Sequence, residues 1–181
     1  MYRKNKIAAI IPARKANDRI TELNLKYLGD QPLITYTISA ALESNFIDKV
    51  FLSTEDNSIA KLAKQYNIEV PFLRPIETTK PGVTSKDVAI YMLNEISEVF
   101  DVILLLMPNA PFRGHDIIDA GIEYLINNKK EKLRTVSKLK DVFISETELD
   151  EKNQSLGNEI EFPTYSEKTV VGGGMYIYRF N

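Results

Sequence analysis

The chain has 181 residues, 23 Lys and Arg against 25 Asp and Glu, a formal net charge of -2, 44% hydrophobic residues and no cysteine. A chain of this size buries roughly two-thirds of its unfolded surface without a metal or disulfide staple, and zero Cys with one histidine, His115, excludes disulfide frameworks, thiol catalysis, iron–sulfur clusters and multi-histidine metal sites. Near-neutral charge gives no electrostatic footprint for nucleic acid or an anionic membrane, so any phosphate must be held locally.

Met1 to Lys6 is polar and basic. The apolar run after it, Ile7 to Pro12, is too short for a signal-peptide core or a membrane span, as is every later run, so a cytoplasmic protein is expected. Ile7 to Ile11, ended by Pro12, reads as a strand buried on both faces of a parallel sheet. Leu33, Ile34, Ile38, Ala41 and Leu42 form a helical stripe preceded by Pro32. Val50 to Leu52 is the next strand. Ser53, Thr54 and Asp56 are cap-type residues ahead of Ile59, Leu62, Ala63 and Tyr66 at helical spacing.

Ile68 to Val70 reads as a brief strand and Arg74 to Gly82 as an irregular stretch. Ser85 then caps a helix carrying Val88, Tyr91, Met92 and Ile96. Val102 to Met107 is a strongly apolar strand broken by Pro108 and Pro111, Asp116 caps a helix through Ile117, Ala120, Ile122, Tyr124 and Leu125, and Leu133 to Val136 is strand-like. This alternation predicts an α/β chain with a mostly parallel sheet covered by helices on both faces. Lys140 to Lys168 is polar and reads as a hairpin or long loop, a length often functional or covered by a partner. Val170 to Tyr178, with Gly172, Gly173 and Gly174, returns to the sheet with close backbone approach at the glycines.

Ligands of open α/β sheets bind outside the carboxyl ends of the strands. The segments there are Pro12 to Asn24, Ser53 to Asp56 and Pro108 to Arg113. Arg14, just past a buried strand, is either a guanidinium fork for phosphate oxygens or a solvated loop arginine. Neither a P-loop nor a G-x-G-x-x-G fingerprint is present. Residues alone lead to an α/β domain with a candidate anion site.

Six blocks in register carry the reading further. Ile10-Ile11-Pro12-Ala13-Arg14, Asn24-Leu25-Lys26 with Pro32-Leu33-Ile34, Leu52-Ser53-Thr54-Glu55-Asp56, Phe72-Leu73-Arg74-Pro75, Leu105 to Arg113, and Gly173 to Tyr178 follow one another through nearly the whole chain. In this order they resemble the acylneuraminate cytidylyltransferases, or CMP-sialic acid synthetases. That resemblance implies a three-layer, mostly parallel, Rossmann-like nucleotide-diphospho-sugar transferase fold over residues 1–181. It also implies transfer of CMP from CTP to an acidic nonulosonic sugar, release of pyrophosphate, a need for Mg²⁺, and a homodimer whose arm is residues 140–168. By position, Arg14 and Asn24 would be catalytic and nucleotide-binding, with Lys15, Asn17, Arg74 and Ser85 joining them on the nucleotide and Asn109 and Arg113 on the sugar. Arg74 could equally pair with an acidic side chain, and Ser85 could be only a cap.

The chain also departs from the family pattern. Where the family has Gly-Gly-Ser-Lys, Lys15-Ala16-Asn17-Asp18 puts Cβ atoms and an anion beside the expected polyphosphate. A unit-charge pair at ~4 Å and an effective dielectric of ~20 is worth about 4 kcal/mol, so the inverted sign is substantial unless Lys15 reaches in. Leu23 stands at a second basic position, Met107 replaces the sugar-facing glutamine, and Asn109 and Ala110 replace Thr and Ser. The family's later Ile-Asp-Ile-Asp segment, whose aspartates hold Mg²⁺, is not in the sequence, which leaves the metal ligands unknown. Glu55 with Asp56, or Asp116 with Asp119, are the carboxylates available, although Asp56 and Asp116 also suit helix caps. Two readings follow: a divergent working enzyme, or a catalytically silent relative that binds a nucleotide or a partner. A chain shortened from a longer enzyme is a third.

Overall fold

The computed structural model describes residues 1–16, 20–135, 137–138, 169–170 and 174–180. The chain divides into two compact units, Met1–Arg134 with Gly173–Asn181, and Thr135–Gly172. In chain order the elements of the first unit are β1 (Ile7–Pro12), the short strands β2 (Tyr27–Leu28) and β3 (Gln31–Pro32), α1 (Leu33–Leu42), β4 (Lys49–Ser53), α2 (Asn57–Gln65), α3 (Ser85–Glu95), β5 (Val102–Leu106), α4 (His115–Asn127) and β6 (Lys132–Arg134). The second unit holds β7 (Ser137–Lys138) paired antiparallel with β8 (Thr169–Val170), and β9 (Met175–Arg179) belongs to the first.

Every residue of β1 and of β5 is buried, as their unbroken apolar runs require of strands covered on both faces. The sheet order is β4-β1-β5-β9-β6. β1 runs parallel to β4, with Ala8 opposite Lys49, and to β5, with Ile7 opposite Val102. β9 is antiparallel to both β5 and β6, so it is the one reversed strand of the five. Ala8, Ile10, Phe51, Ile103 and Leu105 pack with Ala89 and Met92 of α3 on one face, joined by Tyr176 and Tyr178 of β9. The alternate β9 residues Met175 and Ile177 lie under α4, where a Cβ at Gly121 would come within 2.8 Å of Met175 and 3.1 Å of Ile177. Gly121 thus lets α4 approach the sheet closely. The result is the expected three-layer, mostly parallel, Rossmann-like arrangement.

Several local expectations shift. Ser85 is the first residue of α3 and Thr84 is its cap, in a reciprocal box with Asp87. α4 begins after Gly114 with no side-chain cap, and Asp116 sits inside the first turn. Ile68 to Val70 contributes one bridge, Glu69 to Phe51. The β2–β3 hairpin went unread because each strand is two residues long; Gly29, at φ 67°, occupies its two-residue turn, where the first central position favours a positive φ. Residues 140–168, Val136 and the glycines at 172 and 173 lie outside the described residues. Among the described residues, no helix is long and apolar enough to cross a membrane.

Asp56 caps α2 as its position suggests, Oδ1 accepting from the N–H groups of Ser58 at 2.8 Å and Ile59 at 2.9 Å. Burial would raise its carboxyl, but the Ile59 N–H, the Lys15 ammonium and the Ser58 N–H outweigh that and hold it below the ordinary carboxylate value. A depressed folded-state value stabilises the fold at pH above the unfolded value and is lost as pH falls through the folded one. Asp56→Ala should therefore lower unfolding free energy by about 1 kcal/mol at neutral pH. The gap to wild type should close as pH drops below about 4, as read by urea denaturation at several pH values. A gap constant down to pH 3 would contradict this.

Candidate functional site

β1, β4 and β5 are mutually parallel, so their carboxyl ends open on one side of the sheet. Ala13 extends the β1 ladder by donating to the Ser53 carbonyl at 2.9 Å, which carries the register to the threshold of Arg14. Arg14 is half-buried. The chain then loops out and returns through a 3₁₀ turn, Leu23–Leu25, where Asn24 Nδ2 donates to the Arg14 carbonyl at 2.8 Å. Asn24 thus holds the outgoing and returning limbs of the loop together. Asn17 and Asp18 lie outside the described residues.

Beside them, Thr54, Glu55 and Asp56 leave β4. The Glu55 side chain is 8% exposed. Its Oε1 accepts the Lys15 backbone N–H at 2.7 Å, while Oε2 accepts Arg74 Nε at 3.1 Å and Nη2 at 2.9 Å. Arg74 also donates its backbone N–H to the Thr54 carbonyl at 2.9 Å. One carboxylate therefore joins the exits of β1 and β4 to the segment ahead of Pro75. The Lys15 ammonium lies 3.4 Å from Asp56 and 3.5 Å from Glu22, and its pKa is raised, first by the hydrogen bond to Asp56 and then by Glu22. Lys15 turns toward these carboxylates, so the pairing weighed for Arg74 has a counterpart at Lys15.

The exit of β5 forms the third wall. Pro108 and Arg113 are buried, while Asn109 and Phe112 are exposed, Phe112 at 90%. Arg113 donates from Nη1 to the Gly174 carbonyl and from Nη2 to Thr37 Oγ1 at 3.2 Å. Burial lowers its guanidinium pKa to about 10. Ser85 is half-buried at the start of α3. Arg14, Lys15, Asn24 and Arg74 thus gather around the first two strand exits, with Asn109 and Arg113 on the third.

Three of the four carboxylates considered for Mg²⁺ are otherwise engaged, and the fourth, Asp116, stands in the first turn of α4. Both Glu55 oxygens hold N–H donors, Asp56 caps α2 and faces Lys15, and Asp119 accepts from Ser44 Oγ at 2.5 Å, from the Asn45 amide nitrogen at 2.8 Å and from its backbone N–H at 3.1 Å. Among the described residues no group of three or more His, Asp or Glu side chains is placed to hold a metal ion. These residues therefore do not make a resident Mg²⁺ site. His115, the first residue of α4, faces Glu43 at 3.3 Å on the surface. Glu55 and Thr37 are the residues that sequence reasoning missed in their actual roles. A buried polar position on the apolar stripe of α1 was the available signal for Thr37, and the Arg74 alternative pointed toward Glu55.

The sequence profile of the family described as Cytidylyltransferase matches residues 8–161. The chain is 34% identical over 121 residues to the CMP-N,N'-diacetyllegionaminic acid synthase of Legionella pneumophila, covering 65% of this chain and 52% of that protein. It is 31% identical over 148 residues to the pseudaminic acid cytidylyltransferase of Campylobacter jejuni, covering 80% of this chain and 64% of that one. The alignments thus span about half to two-thirds of these relatives' own lengths. Among solved structures, a CMP:2-keto-3-deoxy-manno-octonic acid synthetase complexed with CTP superposes with TM-score 0.71 at 13% identity, over 97% of this chain and 74% of that chain, a likeness of fold. With well over half its length matched in register by one profile, the chain belongs to the cytidylyltransferase family.

Proposed function

We propose that the protein transfers CMP from CTP to the anomeric hydroxyl of an acidic nonulosonic sugar, releasing pyrophosphate, as the resemblance to the acylneuraminate type implies. The observation that carries this reading is the convergence of Arg14, Asn24, Lys15 and Arg74 at the adjoining exits of β1 and β4. In the reaction the sugar oxygen bonds to the α-phosphorus, the α–β bridging P–O bond breaks, and the hydroxyl proton leaves to solvent or a phosphate oxygen. Negative charge crowds around phosphorus, so the protein's work is positioning and charge stabilisation. Arg14 supplies a fork for phosphate oxygens, and Asn24 holds the loop that carries it. Arg74, aligned by Glu55, and Ser85 at the start of α3 are assigned to the nucleotide together with Asn17, and Asn109 and Arg113 to the sugar. Mg²⁺, which the resemblance implies, would accompany the triphosphate as its counter-ion, and no step is assigned to a metal held by this chain. The setting is cytoplasmic.

A second reading, a silent relative that binds a nucleotide without turnover, is favoured by one feature. The Lys15 N–H and ammonium, which would serve phosphate, already face Glu55, Asp56 and Glu22. Pyrophosphate release with CTP, Mg²⁺ and a panel of nonulosonic acids separates the two. Turnover is expected from wild type, with kcat/KM falling about a hundredfold or more in Arg14→Ala, the scale of one lost charge-stabilising donor. Calorimetric binding of CTP with no pyrophosphate from any sugar would establish the silent reading instead.

The active species is a homodimer in which residues 140–168 reach the other subunit. Deleting 141–168 should convert the sedimenting species from dimer to monomer. A dimer mass that survives the deletion would refute the arm.

A further inference from the structure

Arg74 and Arg113 are both buried, at 5% and 7% exposure. Arg74 is opposed by Glu55. Arg113 meets no carboxylate among the described residues: its Nη groups reach the Gly174 carbonyl and the Thr37 hydroxyl, and its Nε has no hydrogen-bond partner there and no exposure to water. A desolvated guanidinium with neutral acceptors and an orphaned N–H is a poor stabiliser, and an apolar side chain of similar volume would serve packing better.

Its two acceptors also hold the start of the same loop. Met107 donates its N–H to the Gly174 carbonyl at 3.1 Å, and the Thr37 hydroxyl donates to the Met107 carbonyl at 3.4 Å. A hydroxyl can donate once while accepting from Arg113, so both bonds coexist. Residues 107 and 113 are thereby fastened to one carbonyl and one hydroxyl, closing residues 108–112 into a ring. Inside it Ala110 donates to the Met107 carbonyl and Arg113 to the Ala110 carbonyl, each at 3.3 Å. Asn109 and Phe112 are left exposed on its outer side.

We propose that Arg113 is a positioning residue for the acceptor sugar, not a contact to it: its guanidinium fork closes the β5 exit loop and fixes Asn109 and Phe112 where the sugar docks, a role that presupposes the cytidylyl transfer proposed above. Only a planar fork spans both acceptors; a lysine ammonium keeps the charge but is a point donor on a flexible stem. The loop's placement should matter to the sugar and not to CTP, whose expected contacts lie on the exits of β1 and β4.

Steady-state kinetics and CTP calorimetry on Arg113→Lys and Thr37→Val test this, with thermal melting as the check of folding. Thr37→Val keeps side-chain volume and leaves Arg113 in place, so it decides the matter should Arg113→Lys not fold. The expected result is a rise in the KM for the acidic sugar of about ten- to a hundredfold in Arg113→Lys, the scale of an ångström-level misplacement, and a smaller rise in Thr37→Val. The CTP Kd should stay within about twofold of wild type in both. A sugar KM that is unchanged in the folded variants, or a CTP Kd that weakens in step with it, overturns the role given to Arg113 while the proposed reaction stands. Wild type that binds CTP yet turns over no nonulosonic acid removes the reaction and this role together.

Discussion

The Glu55 carboxylate is the contact on which the mouth of the sheet depends. It accepts the Lys15 N–H with one oxygen and two Arg74 donors with the other, and both charged side chains are nearly buried. Such a pair gains little over apolar packing as a whole, but removing one partner leaves a buried charge unmatched, at about 3 to 5 kcal/mol. What it provides is geometry. The backbone just past Arg14 is held against the exit of β4, and the Arg74 segment is drawn against Thr54 from the other side. Those donors are taken by Glu55, so what the contact offers a ligand is the fixed course of the backbone that carries Arg14.

Two buried arginines within one fold solve the problem of desolvated charge in opposite ways. Arg74 is neutralised by a carboxylate, and Arg113 spends its donors on a carbonyl and a hydroxyl. The first arrangement preserves local charge balance around the exits of β1 and β4. The second leaves, among the described residues, a guanidinium with no opposing carboxylate beneath the β5 exit loop, on the side where an acidic acceptor would approach, and pins that loop at both of its ends. The division parallels the two substrates of the proposed reaction.

The central strands were legible because their burial leaves only apolar residues: Ile7 to Ile11 and Val102 to Leu106 could hardly be anything else. The cap at Asp56 was legible because its side chain acts within three residues. Beyond that range the signals weaken. Thr84 and Ser85 are equally good cap residues, and the reciprocal bond with Asp87 chose the first. Asp116 lost the cap of α4 to Gly114, whose Cα stands so close to the Asp116 carboxylate that a Cβ there would lie 2.3 Å from it. The reversed direction of β9 leaves no trace in its own composition, since strand polarity is set by where the chain comes from. The site showed the same gradient. Family blocks marked Arg14, Asn24 and Arg74, but the partners of Arg74 and Arg113 lie 19 and 61 or more residues away in sequence, and no spacing rule reaches that far.

The proposed reaction requires CTP to bind across the exits of β1 and β4, beside Arg14. Hydrogen–deuterium exchange of the full chain with and without millimolar CTP addresses this most directly. Slowed exchange concentrated at residues 13–16 and 54–56, with the distal edge around Asn67 to Glu69 unchanged, is the predicted pattern. Protection at that distal edge instead, or no protection at the first two exits, would contradict it.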